Sequence, residues 1–320
     1  MRNYIIKRIL QGFLTMALVS MLIFAILRIA PGDVALMIYT QGDESIQEID
    51  PVALEAIREN LGLNEPLPKQ YLNWVVDMAT FNWGESYFHG ASVFHDFKRK
   101  LPITLELGIM SVLISTVMGI PLGILMAVRQ DRTSDYVGRI FSLGGLSIPN
   151  FWIATMVLVG GLYIFGWSPQ LEYRGITQDF SANLTMLFWP AVITGYSSAA
   201  TKARMMRSSM LEVLRQDYVR TAHSKGLAPM IVTYKHAMAN ALLPVVTVIG
   251  FSFAVIISGS VIMENIFQLP GLGQYLISAM NDRDYNVVQS LVTFFAMWII
   301  LSTLLVDISY AWLDPRIRYD

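Results

Sequence analysis

Few side chains in this sequence are spaced for chemistry, and those few exclude more than they assign. The four histidines stand at 89, 95, 223 and 236. His89 and His95 are six apart without a third ligand in the pattern, so surface histidines are expected and a metal site is not. Cysteine is absent, which removes disulfides, thiolate nucleophiles and thiolate metal ligands. Gly-x-x-x-x-Gly-Lys-Ser/Thr occurs nowhere, so the phosphate cradle that would hold ATP is missing, and no catalytic residues are assigned. Ionisable groups cost ~2.5–3.5 kcal/mol at mid-membrane on insertion scales, and Arg28, Glu106 and Asp307 lie near the ends of apolar runs, not at their centres. Glu106 is the deepest on the outer side: it either lines a solute path or ties Thr104 and a neighbouring helix together. Without carboxylates near a midplane there is no proton relay, which argues against an ion-coupled secondary carrier.

The most patterned polar stretch is 202–240. Its 39 residues are too many for a simple connector between helices and too ordered in pattern for disorder. Within it, 216–226 reads as a short helix: Asp217 caps its first turn, Arg220, His223 and Lys225 suit its negative end, and Gly226 terminates it. Two readings stand side by side, a docking element for another protein and an amphipathic connector held on lipid headgroups by its basic residues.

The elements that must position these residues are read from composition. Of 320 residues 54% are hydrophobic and only 15% charged, with a net charge of −1, against roughly 25% charged in soluble domains. Lipid is the natural solvent of such a chain, and nothing suggests a nucleic-acid surface. Six apolar runs, at about 9–29, 103–128, 140–166, 186–201, 241–262 and 288–312, are each read as a transmembrane helix. The first, about 21 residues, spans about 31 Å, the thickness of a hydrocarbon core. It is also longer than the 7–15-residue core of a cleavable signal, so it is read as retained. Pro121, Pro149 and Pro190 predict kinks inside these helices, not breaks. The fourth run is diluted by Gly195, Tyr196, Ser197 and Ser198, so its helix is expected to run on into water. Small residues such as Gly119, Gly123, Gly145 and Gly250 are read as close-packing positions more than path lining.

Basic residues set the expected orientation. Arg129, Arg132 and Arg139 fill one short loop, Arg316 and Arg318 the tail, and seven Lys or Arg the 202–240 stretch, whereas the two short loops on the other side hold Arg174 and Arg283. Both termini are therefore expected in the cytoplasm. The 31–100 loop then lies outside; its Lys98, Arg99 and Lys100 do not reverse the assignment, because long loops cross largely regardless of charge. It carries eleven acidic residues against five basic. A short helix is expected at 51–60, with Asp50 as N-cap, Pro51 at the first helical position, and Ala53, Leu54, Ile57 and Leu61 on one face. One membrane domain spanning 1–320 accounts for the whole pattern.

The 202–240 stretch resembles the cytoplasmic signature of inner-membrane subunits of binding-protein-dependent ATP-binding-cassette importers, Glu-Ala-Ala, three residues, Gly, nine residues, Ile-x-Leu-Pro. Arg220-Thr221-Ala222 takes the first position and Gly226 the glycine; His236-Ala237-Met238-Ala239 replaces Ile-x-Leu-Pro, with Leu243-Pro244 displaced downstream. That variant resembles the oligopeptide/dipeptide branch, as do QDYVRTA at 216–222, KGL at 225–227, HA at 236–237 and NALLPV at 240–245. RIAPGD at 28–33, LGLNEPLPKQYLNW at 61–74, LPGLG at 269–273, RDYNVVQ at 283–289 and LDPRIRY at 313–319 extend the likeness along nearly the whole chain. The chain looks most like the first of the two paired permeases, the one with the long outer loop.

The resemblance implies an all-α integral membrane fold, the six-transmembrane-helix type I importer permease, in a bacterial or archaeal cytoplasmic membrane. It implies a second homologous permease, two nucleotide-binding ATPase subunits that carry ATP and Mg, an extracytoplasmic solute-binding protein, and a peptide or similar solute. Relatives in this branch also import nickel complexes, opines, glutathione or oligosaccharides. No cofactor or metal is expected on this chain, and a membrane-embedded enzyme is the competing class. The helix bearing Asp217, Arg220, Thr221, Ala222, His223, Lys225 and Gly226 would couple to an ATPase, with Gly226 permitting the turn, Ala222 close approach, and Arg220, His223 and Lys225 pairing with acidic partner residues. Leu269, Pro270, Gly271, Leu272 and Gly273 would form an outer gate or a seat for the binding protein.

Overall fold

The computed structural model describes residues 2–29, 33–40, 50–169 and 172–313. Positions 30–32 of RIAPGD and 314–319 of LDPRIRY, with Arg316 and Arg318, lie outside the described residues. Those described are helical almost throughout, with one isolated antiparallel bridge, Glu85 to Ser92.

Each apolar run lies in helix. Helix α1 (Arg2–Ile29) holds the first, and three short helices follow, α2 (Val34–Thr40), α3 (Pro51–Asn60) and α4 (Leu67–Ala79). Helix α5 (Val93–Val128) starts about ten residues before the second run, where Ser92 caps it by accepting from the His95 N–H. The third run is divided between α6 (Thr133–Ser147) and α7 (Asn150–Phe165), which meet at 99°. The expected kink at Pro149 is therefore a break: Ile148 is extended, at φ −89° and ψ 123°, the region preferred by a residue before proline. Pro121 and Pro190, by contrast, stay inside continuous helices.

Helix α8 (Phe180–Leu214) contains the fourth run and extends beyond it, as its diluted hydropathy suggested. A short α9 (Asp217–Ser224), a single turn α10 (Pro229–Ile231) and a π-helical turn over Val232–Ala237 lead into α11 (Met238–Ile266); α12 (Leu272–Asn281) and α13 (Tyr285–Leu313) follow.

By length and composition, four helices can each cross a membrane, at Ile5–Ile29, Val93–Val128, Pro229–Ser258 and Tyr285–Ile308, and the bent α6–α7 pair makes a fifth candidate. Helix α8 is long enough but too polar for that test. Its position supplies the reason. It packs against α5, α6 and α11, with Ala199, Ala200, Ala203, Met206 and Met210 fully enclosed. On that side the helix faces protein, so its small and polar residues need not meet lipid, while Phe180, Leu184, Phe188 and Trp189 stay exposed on the other. Helix α1 is the opposite case, with Leu10, Phe13, Leu14 and Leu18 exposed.

The α5–α8 seam is the most extensive contact in the bundle, and two glycines four apart make it possible. A Cβ at Gly119 would lie 2.8 Å from the Ala199 carbonyl oxygen, and one at Gly123 2.6 Å from that of Ala203. Both glycines therefore serve backbone approach.

The 31–100 loop is fastened onto the bundle. Asp50 caps α3 through the Val52 N–H at 2.9 Å, and Ala53, Leu54, Ile57 and Leu61 are half-buried. In α4, Tyr71 and Trp74 pack on Phe24 of α1 at 5.5 and 6.0 Å between ring centroids, and Tyr71 shares a 2.8 Å hydrogen bond with Ser20. Trp83 packs against Phe94 and Phe97, and Phe97 in turn meets Phe294 of α13 at 4.6 Å. The RDYNVVQ run completes the attachment: Asp284 accepts from Ser86 Oγ at 2.6 Å and from the Tyr87 N–H, while Asn286 donates to the carbonyls of Trp83 and Glu85. At the other end of the bundle Arg8 of α1 is ion-paired with Asp307 of α13.

Candidate functional site

Helix α9 stands at the end of the bundle that the sequence assigns to the cytoplasm. It is bracketed by α8 on one side and the π-helical turn on the other. Val219 and Ala222 are its buried residues; they pack on Val232, with Val213, Leu214 and Leu227 around them. The close approach that Ala222 permits is thus to its own chain. Asp217, Arg220, Thr221, His223, Lys225 and Gly226 are all exposed. Gln216, not Asp217, occupies the N-cap position and makes no side-chain cap bond; Asp217 lies in the first turn, 3.5 Å from Arg220 Nη1. Lys225 is the C-cap and Gly226 follows at φ +78°, a left-handed conformation that favours glycine. Tyr218 links α9 to the foot of α11, because its hydroxyl accepts from Asn240 Nδ2 at 2.8 Å. The short helix is thus anchored to the end of α8 and to the start of α11.

Between α5, α7, α8 and α11 lies a cleft of about 280 Å³. Its wall is largely apolar, with Val248, Phe251, Val255 and Ile256, and carries hydroxyls and one amide at Ser111, Asn150, Thr194, Ser197, Ser198, Thr201 and Ser252. Directly behind Ser198 is Lys202, wholly enclosed, with Nζ donating to Ser198 Oγ and to Ser115 Oγ, each at 2.7 Å. Reading the sequence alone counted Lys202 as one more basic loop residue; its i+4 spacing from Ser198 was the signal available. Glu106 is not among the lining residues. Its Oε2 accepts from Tyr173 Oη at 2.6 Å and Asn183 Nδ2 at 2.9 Å, tying α5 to the loop before α8 and to α8 itself.

At the end of α11 away from α9, the LPGLG turn at 269–273 is built around a carboxylate that sequence reasoning did not single out. Glu264, fully buried, accepts from the Gly273 N–H at 2.7 Å, the Gln274 N–H at 3.3 Å and Ser260 Oγ at 2.8 Å, while Thr104 Oγ1 accepts from the Leu272 N–H at 2.8 Å. A Cβ at Gly271 would collide with Glu264 Oε2 and lie 2.7 Å from Thr104 Oγ1, which accounts for glycine there. Leu269 and Leu272 are buried, so the turn is seated in the bundle with α12 capped by Glu264. Beside it is an open cleft of about 420 Å³ lined by His89, Asp96, Arg99, Lys100, Gln274 and Asp282, among others. Burial, reinforced by Asp96 and Asp284, pushes the Tyr275 hydroxyl in its wall above the ordinary phenol value, so it stays protonated.

A second buried carboxylate joins α6 to α8. Asp135, wholly enclosed, accepts from Arg207 Nε at 2.8 Å and Nη2 at 2.9 Å, a bidentate pair, and from Arg139 Nε at 3.1 Å and Nη2 at 2.5 Å. This clamp holds the bent α6–α7 pair against the helix that leads to α9.

The sequence matches known families over nearly all its length. Residues 119–319 match the family described as binding-protein-dependent transport system inner membrane component, and residues 1–108 match its N-terminal companion. A probable peptide ABC transporter permease protein of Sinorhizobium fredii is 37% identical over 99% of both chains. A di/tripeptide transport system permease protein of Pseudomonas aeruginosa is 35% identical over 100% of this chain and 99% of its own, and an oligopeptide transport system permease protein of Bacillus subtilis 35% over 100% of both. Among solved structures, an amino acid ABC transporter crystallised with histidines has a similar fold, with a TM-score of 0.52 over 68% of this chain and 94% of that one, at 15% identity.

Proposed function

We propose, for a chain that belongs to the family of binding-protein-dependent transport system inner membrane components, that it forms half of the path of an ATP-driven peptide importer and transmits the stroke of separate ATPase subunits to that path. The observation that carries this reading is α9: its apolar face is closed on its own chain while Arg220, His223 and Lys225 are presented outward on a helix fastened to both α8 and α11. Those two helices line the 280 Å³ cleft. An ATPase that gripped α9 would move the walls of the path directly. A connector lying on lipid headgroups would be expected to turn its apolar face to the membrane, and that face is occupied.

In this reading six crossings place both termini in the cytoplasm, with α8 as the polar central crossing, in the inner membrane of a bacterium. A second homologous permease completes the path, two ATPase subunits hold ATP and Mg, and an outer binding protein delivers solute near the LPGLG turn. Peptide is the solute class because the similar proteins named above are peptide permeases.

The test is affinity capture of this chain from detergent-solubilised membranes, identification of the ATPases that accompany it, and peptide-stimulated hydrolysis in proteoliposomes. The variant Arg220→Glu/Lys225→Glu reverses the exposed charge on α9 without touching Val219 or Ala222. It should lower stimulated hydrolysis at least tenfold, about 1.4 kcal/mol of coupling, with the chain still folded. Full stimulation in that variant, or a chain that copurifies with no ATPase, would sink the reading.

A further inference from the structure

Lys202 is the one basic side chain among the fully buried residues described. Arg207 is paired with Asp135 and Arg8 with Asp307, while the half-buried Arg28 and Lys100 lie over the rings of Phe24 and Tyr275. Lys202 has two hydroxyls. Its ammonium donates to Ser115 and Ser198, and the third N–H has no protein acceptor among the described residues. A buried charge without a counter-charge is costly, and joining α5 to α8 does not require one, since an apolar side chain of similar volume would pack there. The arrangement fits a counter-charge that arrives from outside the chain.

The hydroxyl protons show where it would arrive. Ser115 donates to the Val112 carbonyl at 2.9 Å and Ser252 to the Val248 carbonyl at 2.7 Å. Ser198 accepts from Lys202, and its own proton has only a long contact to Ser252 Oγ, at 3.4 Å. Ser198 is thus a donor polarised by an ammonium behind it, in the wall of the 280 Å³ cleft with Ser197, Thr201 and Ser252 beside it. Neutral hydroxyls backed by a cation suit an anionic oxygen pair. We propose that Ser198, charged from behind by Lys202, makes this cleft a station for the carboxylate of a solute in transit. The proposal rests on the importer reading for its solute, and deepens it by naming the group of the peptide that the path would recognise.

The chain contains no cysteine, so a single Ser197→Cys places one thiol in the cleft wall with little change of size. The complete importer bearing it, with any signal from the Ser197 form subtracted, is treated with two methanethiosulfonate reagents, one carrying a sulfonate and one a trimethylammonium group. Relative to free β-mercaptoethanol, the sulfonate reagent should be favoured roughly tenfold, about 1.4 kcal/mol. Lys202→Met should abolish that preference and Lys202→Arg restore it. A rate ratio equal to that of the free thiol overturns the proposal without any Lys202 variant being needed. Trialanine as the free acid should slow labelling by the sulfonate reagent, and trialanine amide should not; equal protection, or none, overturns the carboxylate assignment. ATP-dependent uptake is measured separately in the same proteoliposomes. Its absence from the unsubstituted assembly would remove the importer reading, whereas uptake with no charge preference at Ser197→Cys would remove only this one.

Discussion

Replacing Asp135 by Ala should be among the most damaging single changes in the bundle, although the residue does not line the 280 Å³ cleft. Its two oxygens accept from Arg207, from Arg139 and from the Asp131 N–H, and its side chain has no solvent exposure. Removing one member of a fully buried pair costs ~3–5 kcal/mol, most of it the penalty of the charge left behind. Arg207 retains a fifth of its side-chain surface in solvent, so about 2–3 kcal/mol is the expectation. At roughly 2–4 °C per kcal/mol for chains of 150–250 residues, melting should fall by about 4–12 °C. Intrinsic tryptophan fluorescence in detergent at a fixed scan rate reads this, the fixed rate being needed because unfolding there is irreversible. Arg207→Ala should approach the same loss. Arg139→Ala should cost much less, since Arg139 is 38% exposed and paired across one helical turn. Asp135→Ala/Arg207→Ala should melt higher than the sum of the two singles implies. If Asp135→Ala melts within a degree of the parent, or Arg139→Ala is worse than Arg207→Ala, the clamp does not hold α6 on α8.

Gly123→Leu should abolish a monodisperse peak in size-exclusion chromatography, because its Cβ would sit 2.6 Å from both the Ala203 carbonyl oxygen and Met206 Cβ; Gly160→Leu, with nothing within 4 Å, is the control that should elute normally. An unaltered profile for Gly123→Leu would mean that the α5–α8 seam is looser than described. Glu264→Ala leaves the Gly273 and Gln274 N–H groups unpaired at about 1–3 kcal/mol each, so amide hydrogen exchange should accelerate at 268–275 and stay unchanged at 217–224. Equal protection at 268–275 in both proteins would show that the turn is held by something else.

Much of the architecture was readable because lipid imposes length. The runs at 9–29, 103–128, 241–262 and 288–312 each lie inside a long helix, and Asp50-Pro51 marked the start of α3 through capping chemistry alone. Hydropathy faltered at α8 for a physical reason: Ser197, Ser198, Thr201 and Lys202 dilute a helix whose polar groups face other helices. At Pro149 the rule that membrane bundles tolerate proline was applied where the chain instead turns through 99°. Charge and the terminating glycine mark α9 in the sequence, and of its two buried residues Ala222 is singled out there and Val219 is not. Lys202, Arg139 and Arg207 all entered a loop charge count, and only Asp135, four residues before Arg139, hinted that two of the three had partners. Glu264 lay just beyond an apolar run, and nothing local announces that its carboxylate is reserved for the Gly273 N–H nine residues on.

The pairing of α1 with α13 has a consequence for biogenesis. Arg8 and Asp307 are 299 residues apart, and Tyr71 and Trp74 of α4 hold only the C-terminal half of α1. At roughly 5–20 residues per second of synthesis, Asp307 follows Arg8 by on the order of 15–60 s. During that interval Arg8 lacks Asp307 and α1 lacks the surface of α13 on which it packs. Interrupted translation products lacking α13 should therefore be degraded faster than products that end beyond it.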